Sequence, residues 1–250
     1  MKKLFTASAI ILFSISANAQ GIKGFLNKAV KKDSTNKSIL DKFSSQGGGS
    51  GLSNDDIVSG LKEALRVGTD SSSKKLGSID GYFADAAVKI LMPDEAKKVE
   101  STLRSVGMGS LVDKAVLSMN RAAEDAASGV GDIFWDAIKK MTVNDGLQIL
   151  KGGDFAATEY LQKTTTTTLT EKFRPVIETS LAKTDATKYW KDVFSNYNRF
   201  STKPVNTDLT AYVTERALKG LFYQIGLQEQ KIRKDPAAQV TDILKKVFGK

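Results

Sequence analysis

The chain of 250 residues contains no cysteine and no histidine. Lack of cysteine excludes disulfides, thiol catalysis and lipid attachment at a cysteine, so a lipoprotein is not expected. Lack of histidine removes the commonest general base at neutral pH, and zinc and copper lose their preferred ligands. Metal binding is left to oxygen ligation of calcium or magnesium, yet no DxDxDG loop precedes Gly81 or Gly146. No metal and no cofactor are therefore expected. Standard signatures are missing as well. There is no GxxxxGK[ST] phosphate loop, and Leu52 stands where a GxSxG nucleophile elbow needs its second glycine. Strand signals are sparse: Val88, Ile90 and Met92 alternate briefly, too short a run to make a sheet.

The N-terminus is the most informative part of what is present. Lys2 and Lys3 precede an apolar stretch from Leu4 to Ile15, and Ala17-Asn18-Ala19 supplies a small-x-small site before Gln20. This is the layout of a signal peptide over residues 1–19, with an apolar run shorter than the about 20 residues of a membrane-spanning helix. The mature protein is expected to be exported, periplasmic or extracellular, and soluble. Taking 19 residues from 250 leaves 231, enough for one or two domains without covalent staples.

The formal charge is +9, or +7 without Lys2 and Lys3. Lys74-Lys75, Lys97-Lys98, Lys139-Lys140 and Lys245-Lys246 lie scattered among acids, as solvated helix faces do. Contact with anionic headgroups or cell-wall polymers is the second reading of that charge. No nucleic-acid partner is expected, because no binding motif accompanies it.

Residues 20–51 read as a separate segment. Ile22, Phe25, Leu26, Ala29 and Val30 form a short amphipathic stripe beside Lys23, Lys28, Lys31 and Lys32. Docking on the main domain or disorder is favoured for it, with membrane-surface contact through 22–32 as the alternative. Ser44 to Gly51 follows as a flexible linker. From 52 to 250 the punctuation is helical. Ser53-x-x-Asp56 and Thr142-x-x-Asp145 read as capping boxes, and Pro93 and Pro236 as first-turn residues. The stripes are Ile57, Leu61, Leu65; Val99, Leu103, Val106; Leu111, Ala115, Met119, Ala122, Ala126; and Ile133, Phe134, Ala137, Ile138, Met141. Further along come Phe173, Val176, Ile177, Leu181 and then Val213, Ala217, Leu221, Ile225. The run Thr164 to Thr168, poor in helix propensity, reads as a strained helix start or a loop. The fold class is all-α, a single multi-helix domain preceded by a signal peptide and a flexible linker.

Catalytic candidates are weak. S-x-x-K occurs at Ser34/Lys37, Ser71/Lys74, Ser72/Lys75 and Ser180/Lys183, without the SDN and KTG elements that accompany it in serine–lysine enzymes. No carboxylate pair stands out. The segment Ser118 to Ala127 is richer: Asn120 and Glu124 share a helix face, as do Arg121 and Asp125, and four alanines allow close packing. One reading is a tightly packed helix with Arg121 paired locally. The other is a pocket wall in which Asn120, Arg121 and Glu124 meet a ligand, with Lys172 or Arg174 completing an anion site. Lys172, Arg174 and Arg233 suit a carboxylate or phosphate clamp, and surface salt bridges explain them equally. The aromatic group Tyr189, Trp190, Phe194, Tyr197 and Phe200 reads as core before it reads as a sugar-stacking platform.

Six ordered segments carry a family resemblance. They are DDIVSGLKEALRVG (55–68), LSMNRAAEDAA (117–127), DIFWDAIKKMTVNDGLQILKGG (132–153), LTEKFRPVI (169–177), YVTERALKGLF (212–222) and IRKDPAAQVTDILKKVFG (232–249). With these the chain resembles the exported bacterial family of the domain of unknown function 4197, over about 52–249. The resemblance implies an exported helix-rich domain and brings no catalytic residues. Gln239 stands where the family's proline-alanine-alanine segment is expected to carry a basic residue. The leading expectation is a non-catalytic helical binding or scaffold domain of the cell envelope. Its partner would be another envelope protein, a cell-wall polymer or a small anionic ligand. A carboxylate-dependent hydrolase or lytic enzyme, and a peripheral membrane protein, are the alternatives.

Overall fold

Two capping boxes start two of the helices as their spacing predicts. Ser53 Oγ accepts the Asp56 N–H at 3.2 Å while the Asp56 carboxylate accepts the Ser53 N–H, and Thr142 and Asp145 repeat the exchange. Each box satisfies backbone donors that a helix start leaves open. The computed structural model describes residues 53–184, 186–199, 202, 204 and 207–234. Within them α1 spans Asn54–Leu76, and a 3₁₀ turn at Asp94–Ala96 leads into α2 (Lys97–Ser105). There follow α3 (Gly109–Ala127), α4 (Gly131–Lys140), α5 (Val143–Lys151), α6 (Ala156–Ala182), α7 (Ala186–Asn198) and α8 (Leu209–Lys234). No strand occurs among the described residues, so the domain is all-α. None of their helices is long and apolar enough to cross a membrane. The expected signal peptide, the segment 20–51 and the helix expected after Pro236 lie outside the described residues. So do Phe200 and the side chains of Tyr189 and Tyr197.

The centre of the domain is α6 packed along α8, with α3 against α6 and α1 against α8 and α4. Leu161, Leu169, Phe173, Ile177 and Leu181 of α6 are fully buried, as are Val213, Ala217 and Leu221 of α8. Burying each large apolar side chain contributes about 1.5–3 kcal/mol. Ala122, Ala123 and Ala127 of α3 are also fully buried, which lets the α3 backbone lie close to its neighbours. Trp190 and Phe194 of α7 belong to the core, with ring centroids 4.6 Å apart.

Two expectations need correction. Thr164–Thr168 is neither a loop nor a helix start but the interior of α6. The hydroxyls of Thr164, Thr165 and Thr166 donate to carbonyls one turn back, at 2.5–2.8 Å, and the buried stripe Leu161–Thr165–Leu169–Phe173 holds the helix on the core. Tertiary burial outweighs a propensity deficit of a few tenths of a kcal/mol per residue, about 0.7 at most. The same helix runs through Pro175, which faces solvent, so water can reach the carbonyl left without an N–H donor. The second correction is in α3. Met119, Ala122 and Ala126 are buried as expected, but Leu111 is exposed and Ala115 half-buried, and Val112, Val116 and Ala123 take the inward positions instead.

Two helix ends are held from a distance. α6 starts without a side-chain cap of its own, and Glu229 of α8 supplies one. Its carboxylate accepts the N–H groups of Ala157 (2.9 Å, at Oε1) and Thr158 (2.8 Å, at Oε2), and Arg233 also donates to Oε1. A buried anion at a helix N-terminus is doubly favoured, by the bare N–H groups and by the helix dipole. Glu124 does comparable work in the irregular stretch after α1.

Candidate functional site

The stretch 77–93 crosses the domain with no helix of its own. It leaves α1 by a tight turn in which a Cβ on Gly81 would lie 2.4 Å from the Lys75 carbonyl. Asp80 there has φ +67, a left-handed conformation that aspartate tolerates better than most residues. An irregular strap inside an α-protein must find partners for its backbone groups, and here side chains supply them. Glu124 Oε1 accepts the N–H groups of both Tyr82 and Phe83 at 3.1 Å. The Asn120 side chain accepts the Ile90 N–H and donates to the Ile90 carbonyl, both at 2.8 Å. Tyr82 Oη donates to the Ala217 carbonyl at 2.7 Å, and Tyr212 Oη to the Leu91 carbonyl at 2.8 Å. Burial pushes the Tyr82 phenol far up, so it stays a neutral donor. Lys75 adds a bond to Asp85 and one to Gln224, each 3.0 Å.

The strap therefore lies fixed against α3 and α8, and the space between strap, α2, α3 and α8 is a groove of about 600 Å³. Along its α8 side, Tyr212, Arg216, Lys219, Gly220 and Tyr223 follow at i, i+4, i+7, i+8 and i+11, one face of a helix. Gly220 permits the closure: a Cβ there would fall 2.7 Å from the Tyr82 ring. Trp190 stacks behind Tyr212 at 5.8 Å between centroids and fixes that wall. Apolar surface faces the opening, with Leu91 57% and Tyr223 47% exposed.

Charge in the groove is unbalanced. Lys97 pairs with Asp94 at 2.8 Å, and Arg104 pairs with Glu100 at 3.0 Å and Asp113 at 2.8 Å. All three groove carboxylates are thereby matched, and the Lys97 ammonium holds Asp94 below the ordinary carboxylate range. Lys89, Arg216 and Lys219 also line the groove and have no carboxylate partner among the described residues. Lys89 Nζ sits 3.8 Å from the centroid of Phe83. The Arg216 guanidinium lies 5.3 Å from the Tyr212 ring, and its Nε is buried with no hydrogen-bond acceptor. Burial raises the Tyr212 phenol pKa while Arg216 pulls it the other way. No group of three acidic side chains capable of holding a metal ion occurs among the described residues.

The sequence-predicted site residues fall elsewhere. Asn120, Arg121 and Glu124 do form one polar network, but its other members are the strap backbone and Asp80. Asn120 and Glu124 are buried behind the groove wall; Arg121, 37% exposed, bonds Glu124 at 2.6 Å and Asp80 at 2.7 Å. Arg174 pairs with Asp208 at 2.7 Å, Lys172 is exposed on α6, and Arg233 is engaged by Glu229. None of these six lines the groove. Among the serine–lysine candidates, Ser72 Oγ donates to the Gly68 carbonyl and Ser180 Oγ to Asp125. The residues that sequence reasoning passed over are Tyr212, Arg216, Lys219 and Tyr223. Their helical spacing was readable, but only the buried stripe of the same helix drew notice.

Fold and groove together define an all-α domain built around a side-chain-clamped strap and a basic, aromatic groove. The chain belongs to the family described as "Protein of unknown function (DUF4197)", whose model matches residues 51–249. No curated protein and no solved structure matches the chain.

Proposed function

We propose that this protein is a non-catalytic binding domain of the cell envelope, and that the groove between the strap and α8 is its binding surface. One observation carries the reading: buried Asn120 and Glu124, with two tyrosine hydroxyls, fix the strap against α3 and α8 and so keep a concave, basic wall in place. Buried polar groups are costly unless fully paired, so a network of this size supports a preorganised site. Acid–base hydrolysis is less well supported. It needs one carboxyl kept protonated beside another that is ionised, whereas Asp94 is depressed by Lys97, and Glu100 and Asp113 share Arg104. The envelope setting rests on Lys2-Lys3, the Leu4–Ile15 stretch and Ala17-Asn18-Ala19.

The test is a titration of the isotope-labelled protein with envelope metabolites and glycans, followed by amide resonances. Ligands should perturb Leu91, Lys89 and the exposed face of α8, and should raise the melting temperature by mass action. Perturbations confined to other faces would overturn the groove as the site. A ligand chemically consumed, with turnover lost in Asp94→Asn or Asp113→Asn, would restore the hydrolase reading.

A further inference from the structure

The groove's charge and shape specify more than a binding surface. Five cationic residues line it, and three carboxylates answer only two of them. Arg216 and Lys219 stand one turn apart on the same face of α8, and Lys89 is on the opposing strap. An arginine is a fork of five donors that binds phosphate or carboxylate oxygens in pairs. Here the fork lies against the fixed ring of Tyr212, and its buried Nε has no acceptor. A buried unpaired donor calls for an explanation. An anion seated on the guanidinium supplies the charged partner that no carboxylate among the described residues gives this side chain.

The anion is not a bare ion. Tyr212, Phe83, Leu91, Met92 and Tyr223 continue the groove on both sides of the cations, and apolar surface of that extent is satisfied by an apolar body rather than by water. Five cations against three carboxylates leave the groove a net charge of +2, which matches the charge of about −1.5 to −2 on a phosphomonoester better than the single charge of a carboxylate. We infer that the groove binds a phosphomonoester attached to an apolar chain or ring, with Arg216 anchoring the phosphate, Lys219 and Lys89 flanking it, and the Leu91–Tyr223 surface covering the body. This rests on the groove being the binding surface and adds the class of its ligand.

Four probes separate the parts of the claim in calorimetric titrations of the full chain. Octyl phosphate, below its micelle concentration, carries both features; octanoate has a single charge, octyl glucoside none, and inorganic phosphate lacks the apolar body. Octyl phosphate should bind at least about tenfold tighter than each of the others, and Arg216→Gln should weaken it by about tenfold or more. Lys219→Gln, on an exposed position where folding is not at stake, should weaken it in the same direction by less, and added salt should weaken it further. Vesicles containing phosphatidic acid decide the source. Competition by the vesicles for the octyl phosphate site assigns a lipid headgroup, and lack of competition with octyl phosphate still bound assigns a free phosphorylated metabolite. Equal binding of octyl glucoside and octyl phosphate, unmoved by Arg216→Gln and Lys219→Gln, would overturn the phosphate assignment while the groove remained a binding surface. If no probe perturbs groove resonances, the phosphomonoester assignment falls, and the groove as binding surface falls only if the wider ligand set also leaves it untouched.

Discussion

The side-chain amide of Asn120 and the peptide of Ile90 exchange two hydrogen bonds of 2.8 Å, as neighbouring strands do across a sheet. The remaining Asn120 donor bonds the Val116 carbonyl at 2.7 Å, which fixes the amide against its own helix. An extended segment in an all-α domain has no strand to pair with. One carboxamide does that work here, and it holds the residues that form the groove wall.

Asn120→Leu is expected to lower stability well beyond a surface substitution. The volume is nearly kept, but the N–H and carbonyl of Ile90 lose their partner, at about 1–3 kcal/mol for each group left buried and unpaired. Urea unfolding should show a lower midpoint at similar slope. A midpoint within error of the parent would mean that the strap finds other partners.

Glu124 serves the backbone more than it serves Arg121. Glu124→Gln should cost about 1–3 kcal/mol, because an amide cannot offer oxygens to both the Tyr82–Phe83 N–H pair and the guanidinium. Arg121→Ala should cost only about 0–1 kcal/mol, since that side chain is partly exposed. Equal losses from the two variants would show instead that the ion pair, not the backbone clamp, is what matters.

Two helical glycines should respond in opposite directions to alanine. At Gly68 a Cβ meets nothing closer than Gln228 Cβ at 3.8 Å, so Gly68→Ala should stabilise by up to about 1 kcal/mol. At Gly220 the Cβ would lie 2.7 Å from the ring of fully buried Tyr82 and 3.2 Å from Val88 Cβ. Gly220→Ala should destabilise by about 1–3 kcal/mol despite better helix propensity. Thermal melts of the pair check this, and a stabilised Gly220→Ala would mean that the strap yields easily.

Acid should weaken the domain through two paired aspartates. Arg174 and the Ala211 N–H hold Asp208 below the usual carboxylate range, and Lys75, with the Ala87 N–H, does the same for Asp85. A carboxyl whose folded value is lowered stabilises above its unfolded value of about 3.9, and that contribution is lost as pH falls through the folded value. Both side chains are partly exposed, so each contribution is small. The Asp85→Asn, Asp208→Asn double variant should lose less melting temperature than the parent between about pH 5 and pH 2. An equally steep loss would place the acid sensitivity elsewhere.

Local signals were legible where local physics decides. The boxes at Ser53–Asp56 and Thr142–Asp145 formed as their spacing required, because both partners lie within one turn. Phe134, Ile138 and Met141 of one stripe are buried and its Ile133 and Ala137 half-buried, while Val213, Ala217, Leu221 and Ile225 are all buried. Thr164–Thr168 misled because propensity is a weak term beside the burial of Leu161, Thr165 and Leu169. Asn120 and Glu124 stand out in the sequence as polar residues among alanines on one helix face, but the strap groups they bond lie 30 to 42 residues away. Nothing in the spacing of the chain announces such partners.

By itself, then, the sequence determined the all-α class, the two capping-box helix starts and most of the stripes that face the core, all consequences of contacts between residues a few positions apart. Only the tertiary structure decided the path of the strap, the inward aim of Asn120 and Glu124, and the meeting of Lys89 with Arg216 and Lys219 across one groove. Those depend on chain segments from 30 to more than a hundred residues apart reaching the same place, and periodicity carries no record of which faces will meet.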